Sequence, residues 1–278
     1  MRRISGVIML ALLLVAVACM AADYATVEQQ MKTQLGAGFT IKRSEMFVCA
    51  GDLRQGDLDA IVAHTVTAGS HALWKQYFTK HPTYPIRVYL FSNERIYRQY
   101  ADKLFGDTDV SYYGYYKPDE RALVMNIGSG TGTLMHEMVH ALMEPDFPMA
   151  PTWLSEGLAS LYEQCRIERG GLVGMMNWRF PVLTDGMKQK TTLPLAQLIA
   201  TSRAQFLDEH LGVHYAQARY FCQFMQERKV LGDFYRQFRD GYAKDKTGAQ
   251  ALENVFHQPI DEIEKDWLVW ISKQKPAE

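Results

Sequence analysis

Two histidines four residues apart constrain this chain more than any other feature. They lie in Thr133-Leu134-Met135-His136-Glu137-Met138-Val139-His140-Ala141-Leu142, framed by apolar residues. In an α-helix, residues i and i+4 stand one turn apart on the same face. Both imidazoles can therefore reach one cation at the roughly 2.0–2.1 Å of a zinc–nitrogen bond, while the apolar residues bury the opposite face. Glu137, beside the first histidine, would address water on the metal. The plainer alternative is a pair of helical histidines satisfied by core or solvent, and a third ligand would decide the matter. Pro151-Thr152-Trp153-Leu154-Ser155-Glu156-Gly157-Leu158-Ala159 supplies a carboxylate, Glu156, on a second predicted helix. Its setting is apolar, where a buried charge needs a partner such as a metal.

The periodicity around these segments predicts an α+β fold. Residues 25–81 read as mainly helical, with Leu58, Ile61, Val62, Thr65 and Val66 at helical spacing. Pro82 and Pro85 end that stretch. Ile86–Phe91 then alternates as a strand and is followed by a helix over about Asn93–Leu104. Tyr112–Tyr116 and Ala122–Ile127 read as a hairpin turned at Lys117-Pro118-Asp119-Glu120, in which cross-strand packing accounts for the tyrosines. Gly128–Thr133 has the look of a phosphate loop but lacks its GK[ST] ending, so a flexible strand-to-helix turn is expected. A helix ending before Pro145, another from Pro151 to Arg169 closed by Gly170-Gly171, and mostly helices thereafter complete the reading. The expected organisation is a leader over 1–22, an N-terminal α/β part over 23–130, and a helical part over 131–278 carrying the metal residues, the last two forming one catalytic unit.

HEMVHAL followed by PTWLSEGLASLYE resembles the two active-site helices of the gluzincin clan of zinc metallopeptidases, and of small secreted bacterial members in particular. The metal site is similar to that of thermolysin. The resemblance reaches more weakly to the Tyr112–Ile127 hairpin, the helix beginning at His214-Tyr215 and the segment Glu264–Leu268, and does not cover the first hundred residues. It implies a zincin-like fold, a small mixed sheet packed on a helical subdomain with the site at their junction. It also implies one Zn2+ held by His136, His140 and Glu156, with Glu137 as general base. Tyr215 is the expected donor to the developing oxyanion, with His214 as the alternative. Leu123–Ile127 would be the edge strand against which an extended peptide or protein substrate pairs. A metzincin would carry glycine and histidine where this chain has Met143 and Asp146. The chain also departs from thermolysin at Ser160, where an acidic residue would support a zinc-binding histidine. Glu163, two turns beyond Glu156, could give that support by a different path, but reads most simply as part of a solvated helix face.

The rest of the chain narrows the setting. A formal charge of -1 provides no field for nucleic acid. Arg2 and Arg3, an apolar run over Val7–Val17 and small residues up to Ala22 form the layout of a signal peptide, too short in its apolar part for a stable transmembrane anchor. Export to the periplasm or medium is expected. Ala16-Val17-Ala18-Cys19 loosely resembles a lipoprotein cleavage box, which would attach a lipid anchor at Cys19. Cys49, Cys165 and Cys222 allow one bridge and demand none. His64, His71 and His81 have no carboxylate or cysteine at ligand spacing and read as surface or core residues. Asp261–Trp270 reads as an amphipathic helix packing on the core. Two rival functions share this sequence: a catalytically silent exported protein that keeps a metal or grasps peptide, and a zinc hydrolase of cell-wall amides.

Overall fold

A computed structural model describes residues 24–276. The expected leader and Cys19 lie outside the described residues. The fold is α+β and divides into two compact units, one running through Thr67 and including His81–Leu134, the other comprising Ala68–Lys80 and Met135–Glu278.

The first unit is built on a mixed five-stranded sheet. Its strands are β1 (Thr40–Ser44), β2 (Phe47–Gly51), β3 (Ile86–Phe91), β4 (Gly114–Lys117) and β5 (Ala122–Asn126), in the order β1-β2-β3-β5-β4. β2, β3 and β5 run parallel, and β1 and β4 add antiparallel at the two edges. The inner strands β2 and β5 are buried along their whole length. They read as continuous apolar runs because both faces are covered. On one face Val48, Ala50, Tyr89, Phe91, Ala122 and Val124 pack with Tyr24, Met31 and Leu35 from α1 (residues 24–35) and with Tyr97 from α4 (Glu94–Phe105). The side chain of Asn93 caps α4 by accepting from Ile96 N at 3.1 Å, and Gly106 closes it in the left-handed conformation with φ 70°.

One expectation is corrected here and another refined. Leu123–Ile127 is not an edge strand, because β5 pairs with β3 on one side and β4 on the other. The crossover through α4 sets β5 parallel to β3, so the preceding hairpin arm β4 is pushed to the outside. Residues 25–81 are mainly helical, as expected, but not in one run. β1 and β2 interrupt them, and helix resumes as α2 (Gln55–Ile61), a π-helical stretch (Val62–Thr67) and α3 (Ala68–Gln76).

The second unit is helical except for a hairpin of β6 (Cys165–Glu168) and β7 (Gly171–Gly174). α5 (Gly132–Asp146) continues through Pro145, in its last turn, and α6 (Thr152–Leu161) stops well short of Arg169. The remaining helices are α7 (Arg179–Gln189), α8 (Leu195–Leu198), α9 (Arg203–Phe206), α10 (Leu211–Glu227), α11 (Leu231–Gly241), α12 (Ala249–Phe256) and α13 (Ile260–Ile271). Ile263, Trp267 and Ile271 bury the inner stripe of α13 as its amphipathic pattern requires. α6 lies against α10 closely enough that a Cβ on Gly157 would stand 2.9 Å from Ala218 O and 3.0 Å from Cys222 Sγ. Glycine there lets the two backbones approach, which brings the neighbouring Glu156 toward the first turns of α10.

Asp146, at the end of α5, ties three elements of this unit together. Its Oδ1 accepts from Thr79 N and Lys80 N, both at 2.8 Å, and its Oδ2 from Tyr235 OH at 3.0 Å and Arg239 Nη1 at 2.8 Å. Cys49 and Cys222 are buried and Cys165 is half-buried, and none of the three forms a disulfide. Among the described residues no helix is long and apolar enough to cross a membrane.

Candidate metal centre

The i,i+4 spacing on α5 brings the His136 and His140 rings to 4.9 Å between centroids, with their Nε2 atoms 3.1 Å apart. Glu156 enters from α6, its Oε2 3.3 Å from His136 Nε2 and 3.5 Å from His140 Nε2. That oxygen is buried and makes no hydrogen bond, an expensive condition for a carboxylate. Three ligand atoms thus converge on one point. Ligands held roughly 2.0–2.1 Å from a tetrahedral ion stand about 3.3–3.4 Å from one another, which matches the observed triangle. The group His136, His140 and Glu156 can hold a metal ion.

The outer side of each imidazole is also occupied. His140 Nδ1 lies 3.0 Å from Ser155 Oγ, one residue before Glu156. His136 Nδ1 lies 3.2 Å from Glu163 Oε1, a close contact that is not aligned as a hydrogen bond. An oxygen stands beside each Nδ1, so the tautomer with its ring proton there leaves Nε2 free to face Glu156, the arrangement metal ligation needs. Glu163 is in turn gripped by Arg179 in a two-pronged pair, Nε to Oε2 at 2.8 Å and Nη2 to Oε1 at 2.7 Å.

Glu163 is therefore not on a solvated face: its side chain is 8% exposed and supports His136. Because α6 ends at Leu161, Glu163 leaves the helical register and turns inward, which a continuous helix to Arg169 would not allow. Arg179 and Ser155 were not singled out from sequence. Ser155 carried a faint signal, a hydroxyl beside a predicted ligand on an apolar helix. Arg179 carried none, since its pairing with Glu163 depends on the intervening hairpin.

The electrostatics favour a cation. Burial works against ionisation of Glu156, but His136 and His140 hold its carboxyl well below the usual range. Burial likewise opposes charge on His136, and the carboxylates of Glu156 and Glu163 outweigh it, pushing that imidazole up to about 10, so a cation bound there would displace its Nε2 proton. Glu163 is lowered to about 2, with Arg179 and His136 overcoming burial. Three carboxylates, with Glu137 acting on both His136 and Tyr215, make the pocket a place for positive charge.

Tyr215 and His214 lie near the start of α10, which opens at Leu211 rather than at His214 as expected, and face different ways. Tyr215 is half-buried, and burial together with the Glu156 carboxylate raises its phenol, keeping it protonated. His214 is buried, its Nδ1 3.0 Å from Phe206 O. Of the two, Tyr215 is the one beside the metal residues. His64, His71 and His81 are exposed and take no part in the His–His–Glu group. No protein-family model matches this chain, and no curated protein does either, so the reading of the centre stands on its own geometry.

Proposed function

We propose that this chain is an exported zinc-dependent metallopeptidase of gluzincin type, with a zincin-like arrangement of its two metal helices. The observation that carries the reading is the triangle of His136 Nε2, His140 Nε2 and the unbonded Glu156 Oε2, with sides of 3.1, 3.3 and 3.5 Å, set one residue from Glu137. Two imidazoles and a carboxylate are a ligand set for zinc, softer donors such as thiolates being absent from the group. Zinc held by three protein ligands supplies a polarising charge that lowers the pKa of water from about 15.7 toward 7.

The chain's own residues supply the rest. Glu137 takes the proton of the attacking water and returns it to the departing amine, acting as base and then as acid. The protonated phenol of Tyr215 donates to the carbonyl oxygen as negative charge grows on it. Glu163 and Ser155 hold the two imidazoles in the ligating orientation, and Arg179 holds Glu163. The peptide or protein substrate and the exported setting follow from the HEMVH and leader patterns.

The first test is the metal content of the purified chain from Asp23 onward, with His140→Ala as control. About one zinc per chain, lost in the control, is expected. Glu137→Gln should keep that zinc while peptide turnover falls at least about a hundredfold, the usual contribution of a general base. A chain that takes up no zinc at neutral pH, or a Glu137→Gln variant with undiminished turnover, would leave a non-catalytic binding protein as the better description.

A further inference from the structure

α10 holds the connector between β7 and α7 one residue at a time. Gln226 pairs with both backbone groups of Gly174, accepting from its N at 2.9 Å and donating to its O at 3.3 Å. Arg219 Nη2 donates to Met175 O. Gln223 Nε2 lies 3.5 Å from Met176 Sδ. The Tyr220 hydroxyl accepts from Asn177 N and donates to Asn177 O, each at 3.2 Å. The connector held in this way carries the partners of Glu163. Asn177 Nδ2 stands 3.4 Å from Glu163 Oε2. Arg179, which makes the two-pronged pair with that carboxylate, donates its backbone N–H to Asn177 Oδ1 at 3.0 Å.

Arg219 also reaches the chain on the other side of Glu163. Its Nε donates to Ser160 O at 3.1 Å, near the end of α6. One guanidinium thus closes the base of the β6–β7 excursion. It holds the segment that enters, which bears Glu163, beside the segment that leaves, which bears Asn177 and Arg179. A planar fork with fixed donor directions suits this task, and a single ammonium does not. The side chain is fully buried, and the acceptors that answer it, the two carbonyls and Gln223 Oε1 at 2.9 Å, are neutral. Burial pulls the guanidinium down to about 10, with the Tyr220 phenol and the Glu163 carboxylate acting against it. An apolar side chain would avoid the cost of burying a cation, but it would leave both carbonyls unanswered. The guanidinium carbon stands 4.5 Å from the centroid of the Tyr220 ring, so the two neighbours pack as one unit. We propose that Arg219 and Tyr220 are positioning residues of the metal centre: they set Glu163 and Arg179 against each other, and through Glu163 they orient His136. This rests on the metal reading above and deepens it, because it extends the support of one imidazole back to a third helix, α10.

The experiment is a double-mutant cycle on the mature chain, with zinc affinity read by competition with a chelator. Arg219→Lys keeps the charge and loses the fork, and it should weaken zinc about tenfold, the lower end for a residue behind a metal ligand. Tyr220→Phe keeps the ring and loses the bonds to Asn177, and it should weaken zinc about twofold to tenfold, the scale of an ordinary hydrogen bond. In the Glu163→Gln background each should change the affinity by less than about twofold, because the carboxylate through which they act is gone. Equal weakening with and without Glu163 overturns the inference and makes the two residues general struts of the fold. Unchanged affinity in variants that fold overturns it as well. If Arg219→Lys fails to fold, the Tyr220→Phe cycle decides alone by the same two criteria. A wild-type chain that binds no zinc overturns the metal reading, and the inference with it.

Discussion

Asp146 and Glu156 are carboxylates sealed into the same helical unit, and their surroundings differ in kind. Asp146 is saturated: backbone N–H groups of Thr79 and Lys80, the Thr79 hydroxyl, Tyr235 and Arg239 all donate to it. Glu156 turns Oε2 toward two imidazole nitrogens and has no hydrogen bond there. The first arrangement spends every lone pair on holding helices together. The second withholds one, at a cost in stability, and places it where two imidazole nitrogens meet. Burial of a charged group is thus uninformative alone. What separates a strut from a ligand is whether donors answer it.

The strongest way to break this comparison is to remove the strut. Asp146→Ala should cost about 3–5 kcal/mol, because it leaves Arg239 and two backbone N–H groups without their buried acceptor. A denaturation midpoint measures it, and zinc bound per folded chain should not change. The same group predicts an acid limb. Burial raises its pKa, but Arg239 and Thr79 prevail and hold it below its ordinary 3.8. A carboxyl lowered in the folded state lends stability that is complete above the unfolded value and lost as pH falls through the folded one. Stability should therefore drop below about pH 3.8, and Asp146→Asn should flatten that drop. If Asp146→Ala released zinc from chains that remain folded, the division between strut and ligand would fail.

How much of this was legible beforehand depends on how local each feature is. The two histidines were readable because i,i+4 geometry is contained in one helix, and β3 and α4 fell within a residue or so of their expected bounds because prolines and an Asn cap mark them. The β6–β7 hairpin was not readable. Arg169-Gly170 serves as its two-residue turn with both residues left-handed, φ 50° and 72°, while in sequence the same Gly reads as a helix stop. Missing that hairpin hid Glu163, because a helix running on to Arg169 puts it among solvated residues. β1 and β2 were absorbed into a helical stretch for a related reason, since each has only five residues and β2 alternates with nothing polar. The interior position of β5 is a matter of sheet order, which no local pattern records.

Within the ligand side of the comparison, the two imidazoles are supported unequally. His136 has the carboxylate of Glu163, held by Arg179, and His140 has the hydroxyl of Ser155. Glu163→Gln removes a charge that strengthens the imidazole as a donor and frees Arg179 from its partner. Zinc affinity, read by competition with a chelator, should weaken about 10–100-fold.

The smallest expected effect is the sharpest probe of this reasoning. Ser155 offers a neutral acceptor, whose net worth is that of an ordinary hydrogen bond, roughly 0.5–1.5 kcal/mol. Ser155→Ala should therefore weaken zinc by about twofold to tenfold in the same competition, because His140 Nδ1 loses its acceptor while the ring keeps its place on α5. The order of the two variants carries the argument. A Ser155→Ala effect as large as that of Glu163→Gln would mean that orientation of the ring, common to both supports, governs ligation and that the buried charge of Glu163 adds nothing. An effect confined to Glu163→Gln would assign the support to charge. In that case the Glu163–Arg179 pair belongs to the ligand side of the comparison, even though, like Asp146 with Arg239, it is a buried carboxylate answered by an arginine.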